Sequence, residues 1–65
     1  MAVAKVLEVL GEGSSVEAAL ESVVNEVADS VRNVKSVYVE GIQAIVENGR
    51  IDRYRVNTKV TFVVE

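Results

Sequence analysis

The chain has 65 residues, a net charge of −3 and neither Cys nor His, and 49% of it is hydrophobic with few aromatics. Disulfides and a Cys/His metal site are excluded, so a chain this short must find extra burial by association with copies of itself. No run approaches the ~20 apolar residues of a membrane span, no basic segment precedes an apolar run at the N-terminus, and the acidic balance disfavours nucleic acid.

A single soluble, cytoplasmic domain over residues 1–65 is therefore expected. Charge is unevenly spread: the first half is acidic, whereas Lys35, Arg50, Arg53, Arg55 and Lys59 make the second half slightly basic. Such halves are complementary between subunits.

Residues 2–10 (AVAKVLEVL) predict a first strand. It is apolar on both faces, as expected of a strand covered on both sides. Residues 11–15 (GEGSS) predict a turn into a helix, with Ser14 and Glu17 as a capping box. The two glycines match neither a P-loop nor a dinucleotide fingerprint and read as turn and cap rather than a phosphate cradle.

From residue 16 to about 33 the period is helical. Val16, Ala19, Leu20, Val23, Val27 and Val31 form one apolar stripe, with Val24 at its edge. Glu21, Ser22, Asn25, Glu26, Asp29 and Arg32 form a solvated face, and no EF-hand loop is present.

Residues 34–65 predict a long hairpin turning at Asn48-Gly49, because a type I′ turn needs positive φ at both central residues. A regular register places Val37 opposite Val60, Val39 opposite Thr58 and Gly41 opposite Val56, with Tyr54 and Phe62 on that core face. Tyr38, Glu40, Ile42, Ala44 and Val46 then share the other face with Lys59, Asn57, Arg55, Arg53 and Ile51. Gly41 marks a bulge or bend, beyond which pairs towards Val34 slip by one. The fold class is α+β: a βαββ unit whose three-stranded antiparallel sheet curls over one helix.

Catalysis has little to draw on. No base is placed to activate a Ser, and no strand register pairs carboxylates, so the chain is not expected to be an enzyme. The cationic strand face carries more. Arg53, Arg55 and Lys59 point the same way, with Glu40 diagonally between Arg55 and Lys59. These charges pair across strands or a subunit interface, or else Arg53 or Arg55 meets an anionic ligand.

The order strand, Gly-x-Gly-Ser-Ser turn, helix and long hairpin resembles the dodecin family over nearly the whole chain. The segments AKVLEVLGEGSSVEAA, DSVRNVKSVYVE and NGRIDRYRVNTKVTFVVE carry the likeness. The resemblance implies a hollow homododecamer that stores a small ligand, by family default FMN or riboflavin. In flavin-binding members a Trp at the start of the second strand stacks on the isoalloxazine, and a Gln in the third strand hydrogen-bonds it. Ser36 and Arg55 stand at those two positions. The pattern is closer to members without the Trp. The alternative is thus a structural or ion-binding shell of the calcium-associated type, or one taking coenzyme A-type ligands.

Overall fold

The structure, a computed structural model, describes residues 3–64. Ala2, the expected start of the first strand, lies outside the described residues. The elements follow in the order β1 (Val3–Gly13), α1 (Val16–Ala28), β2 (Val34–Glu47) and β3 (Arg50–Val64). The sheet is antiparallel in the order β1-β3-β2, so the last strand lies between the other two. The expected βαββ architecture is the one observed, and no helix among the described residues is long and apolar enough to cross a membrane.

β1 continues past Leu10 through the predicted turn. Gly11 pairs with Val56, Glu12 with Arg55 and Gly13 with Tyr54. The two glycines are there for proximity: a Cβ on Gly13 would lie 2.6 Å from the Ala19 nitrogen, and one on Gly11 2.7 Å from the Ala19 carbonyl oxygen. α1 rests directly on β1 at that point, and Ser22 Oγ reaches the Glu12 carbonyl oxygen at 3.3 Å.

The helix cap is Ser15, not Ser14. Ser15 has extended backbone, and its Oγ accepts from the Ala18 N–H at 3.0 Å, satisfying a first-turn donor. Glu17 sits in the first turn, where a carboxylate is favoured by the helix dipole. The helix ends at Ala28, earlier than its apolar period suggests, with Asp29 as C-cap. Val31 nevertheless packs against the core, its N–H bonded to the Val27 carbonyl at 2.9 Å. The chain then turns through Asn33 at φ 60, a left-handed conformation that Asn tolerates.

The core lies between α1 and β3. Ala19, Val23 and Val27 meet Val56 and Val60, with Val9, Val16, Leu20, Val34 and Val37 partly buried around them. Thr58 is buried in the same wall, and its hydroxyl donates to the Val9 carbonyl at 2.7 Å. A buried hydroxyl is tolerated only with such a partner.

The hairpin turns at Asn48 and Gly49, with φ 54 and 74, as the sequence predicts. Its register departs from the regular one. Val37 pairs with Val60 and Val39 with Thr58 as expected, but Gly41 pairs with Asn57 rather than Val56. Asp52 is an extra residue on β3 and Glu40 an extra residue on β2. The two offsets cancel, so the slip is confined to the pairs from Gly41 to Ile45 on the turn side of Gly41. Ile42 and Ala44 therefore pair with Val56 and Tyr54 and leave the cationic face, while Gln43 and Ile45 join it opposite Arg55 and Arg53. A third irregularity, at Lys35, sets Val34 opposite Phe62.

Candidate functional site

The sheet face away from α1 is the candidate site. Residues of a strand alternate between faces, so Arg53, Arg55, Asn57 and Lys59 of the central strand all project there. β1 contributes Glu8 opposite Lys59 and Glu12 opposite Arg55; β2 contributes Gln43 opposite Arg55 and Tyr38 opposite Lys59. The charges interleave with apolar side chains left open to solvent, among them Leu10 at 66% and Tyr38 at 68% exposure.

Glu12 organises the charged end of this face. One carboxylate oxygen, Oε1, accepts from Arg53 Nε at 3.0 Å. The other, Oε2, accepts from Arg55 Nε at 2.8 Å and lies 2.7 Å from Arg55 Nη2. Arg53 Nη1 turns the other way, to Asp52 Oδ2 at 2.7 Å and Glu47 Oε1 at 3.6 Å. Arg55 first and Arg53 second, by hydrogen bonding, hold the Glu12 carboxyl below the usual carboxylate range. Arg53 is shifted up, first by its hydrogen bond to Asp52 and then by Glu12. All of these side chains are partly exposed, so the network fixes orientation more than it adds stability.

The structure thus brings Arg53 and Arg55 together through Glu12. Glu40, expected between Arg55 and Lys59, sits at the bulge with Oε2 3.5 Å from Lys59 Nζ, and Arg55 is taken by Glu12 instead. Ser36 pairs with Thr61, so about 20 Å of strand separates it from Arg55 within one chain. Glu12 and Gln43 are the site residues that the sequence reading missed. The four-residue spacing of Glu8 and Glu12 signals a shared strand face, but only if β1 is read through the Gly-x-Gly segment. Gln43 becomes visible only with the bulges in place.

A model of the Dodecin family matches residues 3–65. The chain belongs to the dodecin family. No curated protein matches it. Among solved structures, a point mutant of Thermus thermophilus dodecin superposes with a TM-score of 0.92 at 23% identity, covering 100% of this chain and 97% of that one. Streptomyces coelicolor dodecin gives 0.92 at 23% identity, covering 98% and 93%. Streptomyces davaonensis dodecin gives 0.91 at 20% identity, covering 98% and 96%. At these identities the likeness establishes the dodecin fold. The contacts of Arg55 and Glu12 belong to this chain's own residues.

Proposed function

We propose that the chain assembles into a homododecameric, non-enzymatic cytoplasmic shell that binds and stores a small ligand of the flavin class, FMN or riboflavin. The observation that carries this reading is the two-faced sheet. One face closes a small core on α1, and the other leaves Val6, Leu10 and Tyr38 exposed around an ordered Arg–Glu–Arg network. Apolar area mixed with oriented polar groups is a surface suited to burial against copies and a planar ligand.

The residues at the family's flavin positions fit in part. Ser36 has no ring to stack on. Arg55 presents a planar guanidinium, which stacks on ring systems but cannot accept a hydrogen bond. Gln43 stands directly across from it and has both a donor and an acceptor. The pair of side chains thus carries the polar chemistry of a single amide in that place.

Size-exclusion chromatography with light scattering should give about twelve chains by the family's assembly, and FMN or riboflavin fluorescence should be quenched saturably at micromolar protein. A monomer removes the shell, and flat titrations remove the flavin.

Ser36 favours a second reading, a structural, calcium-binding or coenzyme A-type shell without flavin. On that reading, calcium or coenzyme A raises the melting temperature where flavins do not. A purely structural shell responds to neither, but Arg55→Ala lowers its assembly stability.

A further inference from the structure

Arg55 is not a free cation. Both Nε and Nη2, the donor edge best suited to a ligand oxygen, converge on Glu12 Oε2 at 2.8 and 2.7 Å. The other oxygen of the same carboxylate is engaged by Arg53. Arg53 is itself surrounded by Asp52 and Glu47. Three carboxylates therefore face two guanidinium groups at this end of the sheet, and the patch has no surplus positive charge to draw an anion.

We infer that Glu12 is an internal competitor for Arg55: it occupies the guanidinium donor edge that a ligand oxygen needs, and so sets which ligands the site accepts. This rests on the flavin-class reading of the site. With that edge engaged by Glu12, Arg55 offers its flat guanidinium face and its Nη1 end beside the Gln43 amide, which favours a planar, weakly charged partner. Glu12 is a specificity-determining residue through Arg55. Its carboxyl is held ionised well below neutral pH by the same two arginines, so the competition persists throughout the physiological range.

The test is a fluorescence titration of the assembled protein with riboflavin and with FMN, in the wild type, Glu12→Gln, Glu12→Ala, and Glu12→Gln combined with Arg55→Ala. Glu12→Ala frees Arg55 outright and should tighten the dissociation constant about tenfold, while Glu12→Gln, whose amide oxygen still accepts without the charge, should tighten it by less. If the ligand oxygen is a ring carbonyl, both flavins gain; if it is the phosphate, FMN alone gains. Either pattern supports the competition, provided that the gain disappears when Arg55 is also replaced.

Unchanged affinities in Glu12→Gln and Glu12→Ala, with saturable quenching, overturn the competition and leave the flavin-class reading standing. A gain that survives loss of Arg55 also overturns it, since charge removal alone then explains the effect. No saturable quenching in any of the four proteins overturns both the flavin-class reading and this inference. Light scattering on each variant confirms that the assembly titrated is the same.

Discussion

Gly11 of β1 lies directly beneath Val23 of α1, so close that a single added Cβ would strike the Val23 Cγ2 methyl and come within 2.7 Å of the Ala19 carbonyl oxygen. Val23 is 1% exposed and cannot move aside without disturbing Val56 and Val60. Gly11→Ala should therefore destabilise the protein by about 1–3 kcal/mol, as overpacking of a full core does. Gly41→Ala is the control, because its new Cβ would meet only Asn57 Nδ2 at 4.0 Å. Its effect should stay within about 0.5 kcal/mol. Denaturant midpoints for the two variants check the contrast.

The cap offers a similar comparison between adjacent residues. Ser15→Ala removes the side-chain acceptor of the Ala18 N–H and should cost about 1 kcal/mol. Ser14→Ala should be close to neutral. Equal effects from the two serines would place the cap elsewhere. Thermal melts suffice, since in a domain of this size each kcal/mol moves Tm by about 4–8 °C.

Thr58 tests the buried polar contact. Thr58→Val keeps the shape but strips the donor from the Val9 carbonyl, and should cost about 1–3 kcal/mol as a buried acceptor loses its partner. Thr58→Ser retains the hydroxyl and exchanges a methyl group for a small cavity. If Val is tolerated better than Ser, packing and not the hydrogen bond sets the choice of residue here.

Glu12 gives stability a dependence on pH of known sign. Its folded-state pKa is lowered by Arg55 and Arg53, so its contribution is fully present above the ordinary carboxylate range. That contribution is lost as pH falls through the lowered value. The stability difference between wild type and Glu12→Gln should be flat at neutral pH and shrink on acidification. A difference that grows towards acid would contradict the pairing.

Much of the fold was legible because its signals are local. The stripe of Ala19, Val23 and Val27 and the Asn48-Gly49 turn each declare themselves within a few residues. The misreadings share a tertiary cause. The Gly-x-Gly segment carries a turn's composition, yet its glycines answer to a helix lying on the strand. Reading it as a turn hid Glu12, and with it the partner of Arg55. Val31 keeps the helical period although the helix has already ended, because the turn after Ala28 still delivers it to the core. Gly41 announces the bulge beside Glu40, but nothing at Asp52 announces the second one, which places the slip on the turn side of Gly41 and not towards Val34. Their positions follow from which faces must be apolar once three strands and a helix are assembled.

The two offsets in the hairpin behave as a pair of dislocations of opposite sign. The lattice of pairs is perfect at the turn, shifted for five rungs, and perfect again at Val39 and Thr58. Such a pair can annihilate without moving either end, so the regular register is reachable by a short local slip rather than by unzipping the hairpin. What holds the defects apart is side-chain sorting, with Ile42 beside Val56 and Gln43 beside Arg55. Exchanging Ile42 and Gln43 should erase both defects, and contacts between Gly41 and Val56 would then replace those between Gly41 and Asn57 in nuclear Overhauser spectra. The charged face of this sheet is thus defined by a slip line that begins at Asp52 and ends at Glu40.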